Sequence, residues 1–313
     1  MIEQSVNKSP VVVVQDKLGI ESWCIKHVYC YANKTFLELK NAPNFKDMQR
    51  LVELTRVLVM VNPEYASAWN SRKDLIRQNI LDPLEELDFS ELILKKKPKS
   101  SDAFAHRRFL ILFVIENFKD DNHDLIGNLV DHELKLCTET AEKYSRNFYS
   151  WCHRLWIIQD VCKENPEILR QEMDFLTTWI PSHVSEYSAF NYRQVLLSKM
   201  LPKIISPEAK LEIISQEYSL LDSLFAQFLG RESLFLYRRF LFSCIHSIVS
   251  SGQVLDAKEQ LKNFEDQEKD FLSRQFVQMK QCKNAWHLHL SRQQVKWIKA
   301  FLQNDSWTVK NAF

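Results

Sequence analysis

Apolar residues recur along this chain with a helical period. Leu169, Met173, Leu176 and Ile180 stand at i, i+4, i+7 and i+11, and Trp151, Leu155, Ile158 and Cys162 do the same one segment earlier. Such stripes put one apolar face on an amphipathic helix. Polar residues and prolines punctuate them. Asp82-Pro83, Asn165-Pro166 and Ser206-Pro207 each pair an N-cap residue with proline at the first helical position. Pro63 and Pro98 each stop one helix before the next begins.

This punctuation frames a repeat. An aromatic residue, two further residues and an arginine appear at Trp69–Arg72, Phe104–Arg107, Trp151–Arg154, Phe190–Arg193 and Phe235–Arg238, spaced by 35, 47, 39 and 45 residues. Pro63 and Pro98 lie six residues before Trp69 and Phe104, and the helix-opening prolines lie 21 to 28 residues before the following motif. That distance holds a helix of about four turns and a short loop. Each repeat therefore reads as helix A, a turn, and helix B with the motif early in helix B. Neither helix buries its stripe alone, so antiparallel pairs stack into an all-α, right-handed superhelical solenoid of about five pairs, a crescent. The ends differ. Residues 1–20 hold Ser9-Pro10 and the β-branched run Val11–Val14, read as an extended arm on the first helices. Residues 21–245 carry the helical repeats, and 246–313 read as charged capping helices.

Composition narrows the chemistry. The 313 residues contain four glycines, where average usage gives about 22, which leaves no glycine-rich phosphate loop and few tight β turns. Lys+Arg number 41 against 40 Asp+Glu, a balance that supplies no electrostatic drive toward nucleic acid. Seven scattered cysteines without a CxxC pair, and no secretory signal, point to the cytoplasm and away from a zinc finger. The longest apolar run, near 109–115, is far short of the roughly 20 residues that span a bilayer.

The paired helices with Trp/Phe-x-x-Arg over about residues 50–245 resemble the repeat of protein prenyltransferase α subunits. The stretch Tyr144-Ser145-Arg146-Asn147-Phe148-Tyr149-Ser150-Trp151-Cys152-His153-Arg154-Leu155-Trp156-Ile157-Ile158-Gln159 looks like the family's central repeat. Ser9–Cys24 is similar to the N-terminal stretch of one branch, the α-like subunits of geranylgeranyltransferase type III. The resemblance implies a crescent wrapped around a β subunit that carries the zinc and the isoprenoid pocket. It implies a β partner of the Rab geranylgeranyltransferase type and geranylgeranyl diphosphate as co-substrate. It also implies cysteine-tailed protein substrates: SNARE, Rab-like or ubiquitin-ligase proteins. No metal is expected on this chain, which is expected to be inactive alone.

The repeat aromatics Trp69, Phe104, Trp151, Phe190 and Phe235 are read as core, because a large ring at a fixed helical position sets the helix crossing. Arg72, Arg107, Arg154, Arg193 and Arg238 fall about one turn later and suit carbonyls or carboxylates between neighbouring helices. Arg146 occupies the turn where the resemblance places a lysine near the isoprenoid diphosphate, and a cation there stabilises departing negative charge; a solvated loop arginine is the alternative. Tyr187 aligns with the next turn, where a phenol donates to diphosphate or to the substrate backbone; an interface tyrosine is the alternative. Phe148 stands where some family members have tyrosine, so no hydroxyl role carries over there. Asp120-Asp121-Asn122-His123-Asp124 spells the D-D-x-x-D of isoprenyl-diphosphate synthases, but a second aspartate-rich motif is missing, and the stretch reads as a loop. Lys95-Lys96-Lys97-Pro98-Lys99 reads as a helix C-terminus favoured by the macrodipole, with an acidic protein surface as the alternative. Two other functions remain open: a tetratricopeptide-type scaffold, whose period near 34 the wandering spacings oppose, and a monomeric isoprenyl-diphosphate synthase.

Overall fold

In the computed structural model, residues 9–14, 17–41, 47–117, 123–251 and 256–309 are described. They form two compact units, Met1–Ile157 and Ile158–Phe313. Thirteen α-helices and one two-stranded sheet are present among the described residues.

The first unit opens with a hairpin. Strands β1 (Val11–Val14) and β2 (Lys17–Ile20) pair antiparallel, Val11 opposite Ile20 and Val13 opposite Leu18. The β-branched run is thus extended, as the sequence predicts. Val11, Val13 and Ile20 are exposed, and the hairpin meets the first helix through backbone: Pro10 O accepts from Glu21 N at 3.0 Å. Helices α1 (Ser22–Asn41) and α2 (Met48–Val61) pack together, and α2 packs on α3 (Ala66–Arg77). Then come the pairs α4 (Pro83–Lys96) with α5 (Ser101–Asn117), and α6 (His123–Lys143) with α7 (Phe148–Trp156). The second unit continues with α8 (Pro166–Trp179) and α9 (Tyr187–Met200), α10 (Pro207–Gln227) and α11 (Glu232–Ser250), α12 (Ala257–Cys282) and α13 (Ala285–Leu302). Short turns between packed partners make each pair antiparallel.

The caps act where the sequence puts them. Asp82 Oδ1 accepts from Leu84 N (2.8 Å) and Glu85 N (3.0 Å), Asn165 Oδ1 from Glu167 N (2.9 Å), and Ser206 Oγ from Ala209 N (3.2 Å), each followed by proline at the helix start. These bonds satisfy N–H groups that the first turn leaves without partners. Trp69, Phe104, Trp151, Phe190 and Phe235 each stand fourth in their helix and are at most 4% exposed. The stripe Leu169, Met173, Leu176 and Ile180 is buried throughout.

One helix departs from expectation. The stripe from Trp151 to Cys162 predicts a single helix B, but α7 ends at Trp156 and Ile157–Val161 is a π-helix. Ile157 and Ile158, both fully buried, lie in this wider turn. Asp120–Asn122 of the aspartate-rich stretch lie outside the described residues; Asp124 is exposed on α6.

Candidate functional site

The repeat arginines build the frame on which every turn is held. In the first unit, Arg72 grips Glu86 with two bonds (Nε–Oε1 2.6 Å, Nη2–Oε2 2.5 Å) and also donates to Val52 O and Thr55 Oγ1. Arg107 does the same with Glu133, Leu87 O and Ser90 Oγ. Arg154 donates to Leu134 O at 2.7 Å and Thr138 Oγ1 at 2.9 Å. In the second unit, Arg193 pairs with Glu217 (2.6 Å, twice) and reaches Met173 O and Thr177 Oγ1. Arg238 pairs with Glu268 at 2.9 Å and with Asp222 at 2.8 Å. Each of the four glutamates lies on the helix A that follows, so Arg72, Arg107, Arg193 and Arg238 each tie their own helix B to two helices A.

A ring donor also reaches three of these carboxylates, and a fourth ring reaches Glu172. His106 Nε2 lies 3.1 Å from Glu86, His153 Nε2 2.9 Å from Glu133, Tyr192 Oη 2.6 Å from Glu172 and Tyr237 Oη 2.6 Å from Glu217. The ring always comes from the residue before the repeat arginine. Sequence reasoning missed these glutamates and rings, yet a signal is present: carboxylate and ring are separated by 20 residues in every case. The separation is constant because both lie within one helix pair joined by one kind of turn. The arginine-to-glutamate spacings vary because they cross the loops between repeats.

The electrostatics follow from burial. Burial alone raises the Glu133 carboxyl; the Arg107 charge and the bonds from His153 and Arg107 outweigh it and bring it down to about 2. Glu86 is lowered against burial by Arg72 and His106. Burial pushes the His106 and His153 rings down, against the Glu86 and Glu133 carboxylates that raise them. Burial pushes the Tyr237 hydroxyl up, with Glu217 adding to it. Mutual pairing at burial makes these structural pairs, of which Arg193–Glu217 and Arg238–Glu268 also line surface cavities.

Arg146 and Tyr187 both lie where helices B open, Arg146 in the turn before α7 and Tyr187 as the first residue of α9. The turns that open helices B are stitched: Pro63 O accepts from Trp69 Nε1 (2.8 Å) and Ser100 Oγ (3.2 Å), and Pro98 O from Asn147 Nδ2 (2.6 Å). Asn147 also caps α7, accepting from Ser150 N. Arg146 immediately precedes this buried asparagine, with φ at +56°, and its side chain is exposed. The same backbone recurs at Lys283-Asn284, where φ is +51° and Asn284 caps α13. The left-handed conformation is therefore a turn device, and both the Arg146 and the Lys283 side chains are exposed beside it. Around it Tyr144, Phe148 and Tyr149 are 53, 60 and 40% exposed.

Tyr187 opens α9 in the second unit, half-exposed, and its hydroxyl donates to Glu232 Oε2 at 2.9 Å. Glu232 opens α11, so the phenol joins two helix starts. A carboxylate at that distance opposes a diphosphate and suits a substrate amide better. Among the described residues, no group of three or more His, Cys, Asp or Glu is placed to hold a metal ion, and no helix is long and apolar enough to cross a membrane.

Residues 83–114, 130–161 and 169–200 match the protein prenyltransferase alpha subunit repeat, which covers the second, third and fourth helix pairs. The first and fifth motifs, outside those stretches, also pair their arginine with a buried glutamate of the following helix A. Protein prenyltransferase alpha subunit repeat-containing protein 1-B of Xenopus laevis is 30% identical over 289 residues, 79% of this chain and 67% of that protein. The repeat-containing protein 1 of Danio rerio is 30% identical over 283 residues, 78% of this chain and 66% of that protein. The geranylgeranyl transferase type-2 subunit alpha of Bos taurus is 26% identical over 226 residues, 68% of this chain and 37% of that protein. The chain spans about two thirds of the length of the first two relatives. With the repeat geometry and these relatives agreeing, the chain belongs to the family of protein prenyltransferase alpha subunit repeat-containing proteins.

Proposed function

We propose that this chain is the α-type subunit of a heterodimeric protein geranylgeranyltransferase acting in the cytoplasm. The observation that carries the reading is the Arg146 turn: an exposed cation flanked by exposed aromatic rings, on a backbone locked by Asn147 and the buried repeat network. The alikeness to a geranylgeranyl transferase type-2 subunit alpha supports the choice of lipid and of a Rab-type β partner. Residues 21–245 serve as the repeats that hold the partner, 1–20 as an arm and 246–313 as a cap.

The reaction transfers geranylgeranyl from its diphosphate to a C-terminal cysteine. The cysteine sulfur bonds to C1 of the isoprenoid, the C1–O bond breaks, and its electrons leave with the diphosphate. Zinc on the β subunit would hold the cysteine as thiolate. This chain supplies positioning and charge. The Arg146 guanidinium faces the negative charge that accumulates on the leaving diphosphate. Tyr187, whose hydroxyl donates to Glu232, lines the groove for the protein substrate, where its oxygen accepts from a backbone N–H. Holding both substrates in register carries much of such a transfer without covalent chemistry on this chain. The substrates are cysteine-tailed SNARE, Rab-like or ubiquitin-ligase proteins.

The test is co-expression with a Rab-type β subunit, size exclusion, and labelled geranylgeranyl transfer to cysteine-tailed proteins. The reading expects a one-to-one complex that transfers lipid when neither chain alone does. Failure to assemble with any prenyltransferase β chain would reduce the protein to a helical scaffold.

A further inference from the structure

A lysine-rich edge of the first unit has no part in the network above. Lys95 and Lys96 end α4, Lys97 caps it, Lys99 follows the buried Pro98, and Lys143 ends α6; all five side chains are exposed. They form one patch, since Lys143 Nζ donates to Lys95 O and Lys99 Nζ lies 4.1 Å from the centre of the Tyr144 ring. Two carboxylates face Lys95: Glu91, bonded to it, and Glu139. Among the described residues, Lys96, Lys97, Lys99 and Lys143 have no carboxylate partner. In a chain of net charge +1, this concentration of positive charge is local.

Apolar surface accompanies the charge. Leu92 is 63% exposed and shares a face of α4 with Lys95 and Lys96, three and four residues on. Tyr144, 53% exposed, presents a ring with a polar tip. We infer that this edge docks the protein onto an anionic lipid surface. Four to eight clustered basic residues beside amphipathic surface are what an acidic leaflet attracts. The choice of lysine favours lipid over protein. Protein interfaces are depleted of lysine and enriched in arginine, whose planar fork binds carboxylates two at a time. Lysine is a mobile point charge suited to a diffuse field of headgroups, with its apolar stem along the boundary. Nor is the run available as an extended peptide signal, because Lys95 and Lys96 are helical and Pro98 is buried.

The edge shares Tyr144 with the surface around Arg146, and the inference is tested without a β chain, by flotation of the full chain with phosphatidylcholine vesicles, with or without phosphatidylserine. Each lysine near such a surface contributes roughly a fivefold factor in partitioning. The combined Lys96→Ala/Lys97→Ala/Lys99→Ala variant should therefore bind phosphatidylserine vesicles on the order of a hundredfold more weakly. Lys258→Ala/Lys262→Ala, at exposed positions of α12, should bind like the parent. Parent binding should require phosphatidylserine and weaken with added salt. Equal binding to both vesicle types, no binding to either, or equal loss in the α12 control would overturn the inference. So would lysine-dependent binding of soluble polyglutamate without vesicle binding, which would assign the edge to an acidic protein. Circular dichroism of each variant separates lost binding from lost folding, and the parent's dependence on lipid and salt stands without any variant.

Discussion

Replacing Glu133 by alanine is expected to destabilise the first unit by about 3–5 kcal/mol. The carboxylate is fully buried and satisfies Arg107 and His153 together. Its removal leaves an arginine charge inside the protein with only Leu87 O and Ser90 Oγ for partners. The titration of Glu133 gives an independent scale. A carboxyl brought from 4.5 to about 2 is worth about 3 kcal/mol of folding free energy. The depressed value means this contribution is present above about pH 4.5 and is lost as the pH falls through 2. Against a total of about 5–15 kcal/mol, the loss is severe. The assay is urea unfolding followed by far-ultraviolet circular dichroism, with Glu167→Ala as control. Glu167 meets Arg170 on the surface, where such a pair is worth about 0–1 kcal/mol. The double variant Arg107→Met/Glu133→Leu, which removes both charges, should recover most of the loss. A Glu133→Ala protein within about 1 kcal/mol of the parent would refute the view that these pairs hold the repeats together.

Other expectations follow from the cap and the turns. His287 accepts from Gly230 N at Nδ1 (2.8 Å) and meets Gln275 at Nε2, and burial lowers its ring to about 4. Its folded value lies below the free one, so stability should fall as the pH drops from about 6.5 to 4, and His287→Gln should flatten that limb of a melting-temperature profile. Gly230 has φ at +71° and an added Cβ would sit 3.3 Å from Trp286, so Gly230→Ala should cost about 1–2 kcal/mol in urea unfolding. Arg146→Ala should shift stability by less than about 0.5 kcal/mol yet lower transfer by the assembled enzyme at least tenfold. Tyr187→Phe should raise KM for the protein substrate more than it lowers kcat, and an equal fall in kcat and kcat/KM would move the phenol to the diphosphate.

Much of the repeat was legible because helices announce themselves locally. Asp82, Asn165 and Ser206 cap where they stand beside proline, and each motif aromatic takes the same fourth position in its helix. The arginines were legible as structural but their partners were not. Glu86, Glu133, Glu217 and Glu268 lie 14, 26, 24 and 30 residues beyond their arginines, and such unequal spacings show no period. The π-helical turn after Trp156 was hidden for another reason. An α-helical stripe and a stripe with one residue inserted look alike in sequence, and only the backbone conformation tells them apart.

At the site, Arg146 was identifiable only through resemblance, since a charged residue in a turn carries no pattern of its own. Its exposure beside Tyr144, Phe148 and Tyr149 required coordinates. The bond from Tyr187 to Glu232 joins residues 45 apart, which no local signal connects. By itself the sequence determined the helix pairs, their order and their starts, because capping, proline and apolar periodicity act over a few residues. The tertiary structure alone decided which carboxylate meets which arginine and which turn side chains stay exposed, because those depend on how successive pairs stack and on loops of unequal length.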